Sequence, residues 1–292
     1  MYKHGFDLPE FAMFPLLDNP DAVARLREMY RAYLDTAARH GFGVIVGGLD
    51  YRASPDWAGR LGYSNERLAD MQLRSIGFLH ELAAPYEGQV PSILFAGVVG
   101  PRGDAYEVNA TITAEAAEEY HAVQIATLVR AGVDLVEALT FNSVAESVGV
   151  ARAAARAGLP LSVSYIIDRE TGRLSSGPSL KEAIESVDEL AGADRPEFYG
   201  INCSHPLEFM PALEPGDWIQ RLRMLRPNAV AADKIALCTL GHLEQGDHVA
   251  LGVLMGDLAR RYPRIDIWGG CCGTWDLHFE EIASNVRAAR AI

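Results

Sequence analysis

Short apolar runs alternate with amphipathic segments along almost the whole chain, and this alternation is what most constrains the fold. Seven runs are strand-like: residues 41–48, 92–100, 133–139, 160–167, 198–203, 228–234 and 265–272. Most are continuously apolar, which is typical of strands buried on both faces of a parallel sheet. Strand–helix units that repeat at roughly 30–40 residues favour an α/β fold of the (β/α)8 TIM-barrel type over an open sheet.

Amphipathic patterns predict helices between these runs. Residues 21–40 and 113–131 each place apolar side chains on one stripe. Ser143 and Ser179 are each followed three residues later by Glu, the capping-box pattern that marks a helix start. The last helix is expected over residues 276–291. No Gly-x-Gly-x-x-Gly follows an early strand, so the signature of a dinucleotide-binding fold is missing.

The strand count falls one short of a closed barrel. A TIM-type barrel has eight strands, whereas the sequence supplies seven apolar runs and none before the helix at 21–40. We therefore expect residues 1–292 to form a single barrel domain in which the first strand is missing or replaced.

Charge and composition limit the partners. The formal net charge is −13 and there is no basic stripe, which argues against nucleic-acid binding. No apolar run approaches the ~20 residues needed to cross a bilayer, and the start MYKHGFDLPEF does not resemble a signal peptide. So few cysteines, four in all, favour a reducing compartment. We expect a cytoplasmic protein that acts on small molecules, and the sequence leaves a homo-oligomer open.

Three cysteines end two of the strand-like runs. Cys203 ends FYGINC, and Cys271 and Cys272 end IDIWGGCC. Because the carboxyl ends of barrel strands meet at one rim, these thiols should converge although almost 70 residues separate them. Three thiolates are a coherent ligand set for zinc and leave one tetrahedral position open. The alternative is that all three are ordinary buried cysteines.

Glycines around the cysteine pair support the metal site. Neighbouring side chains of a regular strand point to opposite faces, so two adjacent cysteines reach one ion only where the backbone leaves strand geometry. Gly269, Gly270 and Gly273 permit such a change. A thiol in the open zinc position would be deprotonated at neutral pH, which favours thiol alkylation. Zinc hydrolysis is the weaker alternative, since three thiolates leave a poor Lewis acid for water.

The two cysteine motifs resemble those of a known family. GINCSHP (200–206) and GGCCGT (269–274) are similar to the paired zinc motifs of the homocysteine S-methyltransferases. GFGVIVGGLDYRASP, FAGVVGP and AGVDLVEALTFNSVAES resemble further strand segments of that family, so the similarity covers most of the chain. The resemblance implies that Cys203, Cys271 and Cys272 bind zinc and that Tyr51 belongs to the substrate loop.

The implied reaction is methyl transfer to homocysteine. The family moves a methyl group from a sulfonium or ammonium donor to the homocysteine thiol and forms methionine. The sequence does not identify the donor: betaine, S-methylmethionine, S-adenosylmethionine and a methylated corrinoid protein all remain candidates.

Two departures from the family pattern affect the amino-acid half of the site. The family opens with an Asp-Gly-Gly strand, and this sequence begins after the point where that strand is expected. Many members end the fourth strand with a Glu that receives the substrate amino group, where this chain has Leu139. Glu137 lies on the same face but deeper and is at best a substitute. The alternative function is therefore a zinc-binding barrel that has weak or no activity, or that acts on a different thiol.

Other residues are candidates for substrate contacts. Asn202 precedes a zinc cysteine and either binds a substrate carboxylate or amine or caps the strand end. Gly270 offers a backbone N–H to a carboxylate, and Thr140 follows Leu139 at the same strand end. Asp50 is a weaker candidate than Tyr51 for facing the pocket.

The remaining polar residues receive mostly structural interpretations. His121 lies on an apolar helix face and is expected to be a core histidine, and His205 is either a proton acceptor or a loop residue. Three further interpretations are a structural Cys238, rim contacts by Asp233 and Lys234, and a solvated loop over residues 242–248.

Overall fold

Seven parallel strands form one curled sheet in the computed structural model, which describes Met1 and residues 5–107, 109–231 and 244–290. Each strand pairs with the next one along the chain, in the order β1 to β7. The strands are β1 (Val44–Val46), β2 (Ile93–Val99), β3 (Leu135–Phe141), β4 (Leu161–Tyr165), β5 (Phe198–Asn202), β6 (Leu222–Arg226) and β7 (Ile267–Trp268).

Helices flank this sheet and connect its strands. In the described residues they are α1 (Pro20–His40), α2 (Pro55–Arg60), α3 (Asn65–Ala83), α4 (Ala114–Ala131), α5 (Val144–Arg156), α6 (Leu180–Ala191), α7 (Pro206–Phe209), α8 (His248–Arg261) and α9 (Asp276–Arg290). Short 3-10 turns lie at Pro9–Phe11, Phe14–Asp18, Ala84–Tyr86, Gly192–Asp194, Met210–Ala212 and Asp217–Arg221. The helices predicted over 21–40, 113–131 and 276–291 are confirmed as α1, α4 and α9.

Six of the seven predicted strands are confirmed, and the sixth was misplaced. The strand expected over residues 228–234 is instead β6, over Leu222–Arg226. Its two arginines interrupt the apolar pattern from which strands were predicted. In the structure each arginine has a carboxylate partner: Arg223 pairs with Asp266 and Arg226 with Glu137. Residues 228–231 have no strand geometry. Cys238, Asp233 and Lys234, and most of the segment that carries them, lie outside the described residues.

Both faces of the sheet are buried, as the continuously apolar runs predict. The inward side chains form a small cluster of Ala96, Val98, Leu135, Leu139, Phe198 and Met224. The outward side chains of the same strands, such as Val136, Val163 and Leu225, belong to a larger cluster shared with the helices. The inward side chains thus pack against one another and the outward ones pack against the helices, which is the arrangement of a (β/α) barrel.

β1 and β7 are the two outer strands of the sheet in the described residues, so the prediction of a barrel one strand short is confirmed. Helices α1 and α9 pack against each other. The ring of Tyr33 stacks on Phe279 with centroids 4.3 Å apart, and Glu280 binds His40 at 2.7 Å and Arg39 at 2.5 Å. No helix in the described ranges has both the length and the apolar composition that crossing a membrane requires.

One predicted capping box forms and the other is half formed. Ser179 and Glu182 satisfy each other's backbone donors at the start of α6. Ser143 caps the N–H of Glu146 at 3.4 Å, but the Glu146 carboxylate turns away to the backbone N–H of Arg102 at 2.6 Å. It also contacts His121 Nε2 at 3.0 Å, deep in the core. His121 is therefore a buried, partnered histidine, as the sequence predicts.

The carboxyl group of Asp50 is buried between the first two strands. Its Oδ2 accepts a hydrogen bond from the Val98 N–H at 3.0 Å, and the residue is fully buried. Burial raises the pKa of Asp50 from 3.8 to about 7, because the charged form loses its hydration. The folded protein therefore favours a protonated Asp50 at mildly acidic pH.

Replacing Asp50 by Asn tests this assignment. Between the unfolded pKa near 3.8 and the folded pKa near 7, the folded protein binds more protons than the unfolded chain. The stability contributed by this group is therefore present at low pH and is lost as pH rises through this window, by up to a few kcal/mol. Stability is measured by urea unfolding in the presence of a chelator at several pH values across this window. As pH rises, the free energy of unfolding should decline less for Asp50→Asn than for the wild type.

The exposed Asp194 provides the matched control. The Asp194→Asn variant should follow the wild type across the same pH range. Equal declines in the wild type and in Asp50→Asn would contradict a buried carboxyl with a raised pKa.

Candidate metal centre

Three cysteine sulfurs meet at the carboxyl ends of β5 and β7. The Sγ of Cys203 lies 2.7 Å from that of Cys271 and 3.7 Å from that of Cys272, and all three lie within 4.8 Å of one another. Cys203 is buried and the other two are half-buried. In the part of the chain that the structure describes, they form the one cluster of His, Cys, Asp or Glu side chains suited to a metal ion.

The early end of β7 lets two adjacent cysteines approach one point. The strand predicted over residues 265–272 ends at Trp268, so the prediction is wrong for the last four residues. Gly273 has a φ of +78°, and a Cβ there would collide with the backbone oxygen of Glu244. The Thr274 hydroxyl donates to the Cys271 carbonyl at 2.7 Å and closes the turn. Because this segment is a turn, Cys271 and Cys272 do not point to opposite faces as neighbouring residues of a strand would.

Asn228 joins the two cysteine segments, and the sequence analysis missed it. Its Nδ2 donates to the Cys203 carbonyl at 3.1 Å, and its Oδ1 accepts from the Cys272 N–H at 3.2 Å. The side chain is 3 % exposed, so these bonds are shielded from water. The misplaced sixth strand hid this residue. Placing the strand at Leu222–Arg226 would have put Asn228 at the same rim as the cysteines.

Three of the predicted substrate-binding residues form one hydrogen-bonded group beside the cluster. The Tyr51 hydroxyl donates to Thr140 Oγ1 at 3.0 Å, and Asn202 Oδ1 accepts from the Thr140 N–H at 2.8 Å. Asn202 Nδ2 donates to Thr140 Oγ1 at 3.2 Å and lies 3.9 Å from Cys271 Sγ. Thr140 has a φ of +65°, where a side chain is uncommon, and the β3–β4 register shifts next to it.

Gly270 and His205 lie close to the cysteines in packing and capping positions. A Cβ on Gly270 would overlap the side chain of Thr274, so the missing side chain makes room for the turn. His205 caps α7. Its ring Nδ1 accepts a hydrogen bond from the Leu207 N–H at 3.3 Å, and its backbone N–H donates to Glu208 Oε2 at 2.9 Å. Burial lowers the pKa of His205. The structure therefore gives His205 a role at a helix start.

The donor set and its spacing fit zinc. With Zn–S bonds of about 2.3 Å, the sulfurs of a tetrahedral ion lie about 3.8 Å apart. The Cys203–Cys272 separation of 3.7 Å matches this value, and the Cys203–Cys271 separation of 2.7 Å is shorter. Hydrogen bonding with Cys203 lowers the pKa of Cys271, whereas the neighbouring thiols raise that of Cys272. A bound cation would remove this competition by favouring all three thiolates.

A family comparison agrees with this site. The sequence profile of the homocysteine S-methyltransferases matches residues 6–286. The chain belongs to the homocysteine S-methyltransferase family. Both cysteine motifs lie within the matched region, and the resemblance drawn from them is confirmed.

Solved structures agree on the fold. The oxidised and metallated forms of the homocysteine methyltransferase MmuM from Escherichia coli each superpose with a TM-score of 0.67 at 21% identity, over 92% of this chain and 86% of that chain. The apo form gives a TM-score of 0.64 at 20% identity, over 94% and 89% of the two chains. At this level of identity, the likeness establishes the shared fold.

The inward face of β3 carries the two residues considered for the substrate amine. Leu139, the position at which the family resemblance leads us to expect an amine-binding Glu, is buried in the apolar interior cluster. Glu137 lies one layer deeper and pairs with Arg226, its Oε2 2.9 Å from Nη1. Burial raises the pKa of Glu137, while the Arg226 charge opposes that change. The side chain considered as a substitute amine contact thus already has a cationic partner.

Removing the Asn228 side chain should weaken metal binding. An Asn228→Ala variant loses both side-chain bonds to the cysteine segments. Loss of such supporting contacts typically costs about 10- to 100-fold in metal affinity. Competition with a chromophoric chelator measures the zinc affinity of both proteins. The exposed Asn65 serves as the control, and Asn65→Ala should bind zinc like the wild type. Unchanged affinity in Asn228→Ala would show that the segments are held by other contacts.

Proposed function

We propose that the protein uses zinc, held by Cys203, Cys271 and Cys272, to transfer a methyl group from a sulfonium or ammonium donor to homocysteine, forming methionine. The observation that carries this proposal is the convergence of three sulfurs within 4.8 Å at the carboxyl end of a parallel barrel sheet. Membership in the homocysteine S-methyltransferase family supports methyl transfer to homocysteine. The need for reduced thiols supports a cytoplasmic location.

Zinc suits this reaction better than it suits hydrolysis. Bound by three thiolates, it would keep a fourth thiol deprotonated at neutral pH. Three negative ligands more than balance its charge, so the same site would activate water poorly. The chemistry of the donor set therefore supports a thiol substrate.

The proposed transfer balances without a protein base. The homocysteine thiol would release its proton to solvent on binding. Its sulfur lone pair would then form the new bond to the donor methyl carbon. The carbon–sulfur or carbon–nitrogen bond of the donor breaks, and its electron pair stays on the leaving atom, which becomes a neutral sulfide or amine. The protein would hold the donor carbon in line with the thiolate sulfur.

The hydrogen-bonded group beside the cysteines would orient the substrate. Tyr51, Thr140 and Asn202 already fix one another's side chains, so they offer a rigid wall with the Asn202 amide next to Cys271. Gly270 places backbone close to the same point, where its N–H could meet a carboxylate. Such substrate contacts would explain why a polar network ends at the cysteine cluster.

One observation favours a second candidate, transfer to a different thiol. Leu139 is a buried apolar side chain at the position where the family resemblance leads us to expect an amine-binding Glu. The methyl acceptor would then be a thiol that lacks the amino group of homocysteine.

Zinc content and methyl transfer test the proposal together. The purified protein should contain about one zinc per chain, and Ser substitution of any one of the three cysteines should remove most of it. With homocysteine and a panel of donors (betaine, S-methylmethionine and S-adenosylmethionine), mass spectrometry should detect methionine. The same Ser variants should form none.

Two outcomes would contradict the proposal. Full zinc retention in the Cys271→Ser variant would overturn the metal site itself. Full zinc content with no methylated product from homocysteine and any donor would overturn the reaction and favour a non-catalytic zinc barrel or another thiol.

A further inference from the structure

We propose that Arg226 binds the carboxylate of the thiol substrate, so that this site selects thiol carboxylates and does not require a substrate amino group. The inference rests on the proposed function, because it assumes a substrate thiol at the three cysteines. Its basis is a charge pair between Glu137 and Arg226, a residue whose backbone is hydrogen-bonded to Cys203.

Arg226 lies between the two strands that lead to the cysteines. It ends β6 and pairs in register with Asn202 on β5, and its carbonyl accepts from the Cys203 N–H at 3.2 Å. On the other side it passes Gly269, where a Cβ would lie 3.1 Å from its Cγ. Its guanidinium then reaches Glu137 on β3. Arg226 is therefore next to both cysteine segments, through its backbone at Cys203 and through its side chain at Gly269.

The cation is the accessible member of this pair. The side chain of Arg226 is 27 % exposed, whereas that of Glu137 is 3 % exposed. Leu139 covers the same strand face one layer nearer the rim and is itself buried. Of the two charged groups, the guanidinium is therefore the one that solvent and a substrate can reach. This difference in exposure favours a negative group on the substrate over an ammonium.

The guanidinium has the capacity for a second carboxylate. Arginine carries five N–H donors in a planar fork, and the contact with Glu137 uses Nη1. Among the described residues, no other carboxylate pairs with Arg226. Glu137 fixes the orientation of the fork and offsets the cost of burying its charge. Glu137 is then a positioning residue that acts through Arg226.

Three thiols separate this inference from amine recognition. Homocysteine carries both groups, 4-sulfanylbutanoic acid carries only the carboxylate, and 3-aminopropane-1-thiol carries only the amine. Calorimetric titration of the zinc-loaded protein should give similar affinities for the first two. The aminothiol should bind about 10- to 100-fold more weakly, because it lacks the charge-assisted contact.

Variants of the pair assign the effect to Arg226. Arg226→Met should weaken both thiol carboxylates about 10- to 100-fold and leave the aminothiol unchanged. Arg226→Met leaves Glu137 buried without its partner. The double variant Glu137→Gln/Arg226→Met removes both charges, and it should show the same affinities for the three thiols as Arg226→Met. Arg223→Met is the matched control, since Arg223 lies on the same strand but pairs with Asp266 on the outside, and it should bind like the wild type.

The outcomes distinguish this inference from the function it rests on. Tight aminothiol binding that is lost in Glu137→Gln, with weak binding of 4-sulfanylbutanoic acid, would overturn the inference and make Glu137 the amine contact. Equal losses of affinity for all three thiols in Arg226→Met and in the double variant would also overturn the inference, because they would show that Arg226 has a structural role. If zinc-loaded wild type binds none of the thiols, the proposed function fails first.

Discussion

Hydrogen bonds from the end of β6 hold the three sulfurs together, and the whole candidate site depends on them. The Cys203 N–H donates to the carbonyl of Arg226 and the Cys271 N–H to that of Pro227, at 3.2 and 2.8 Å. Asn228 then binds both cysteine segments through its side chain. Since no pair of strands other than neighbours is joined directly in the described sheet, β6 is the element that sets β5 and β7 at the spacing a metal requires.

The same arrangement explains why a bound cation would stabilise the site. Three thiolates within 4.8 Å repel one another, and in the protein alone the pKa of Cys271 falls while that of Cys272 rises. The strand end that supplies the bridging carbonyls also carries Arg226, the side chain that we propose for the substrate carboxylate. One strand end would thus support both halves of the chemistry, the thiolate cluster and the recognition of the substrate.

The barrel class and the three cysteines could be predicted because each leaves a local mark. Continuously apolar runs mark doubly buried strands, and a Cys pair among glycines marks a turn. β6 could not be found in the same way, because its Arg223 and Arg226 are charges neutralised by Asp266 and Glu137 from distant parts of the chain. Because β6 was misplaced, neither Asn228 nor Arg226 was considered for the site. Glu146 looked like a cap, yet it serves His121 and the Arg102 backbone instead.

Zinc K-edge X-ray absorption tests the central claim most directly, because it counts the sulfur atoms around the metal. The account predicts about three sulfur ligands near 2.3 Å and one lighter ligand in the purified protein. Addition of a thiol substrate should raise the count to about four sulfurs, as the thiolate takes the remaining position. Fewer than three sulfurs in the purified protein, or a count that homocysteine and 4-sulfanylbutanoic acid both leave unchanged, would contradict it.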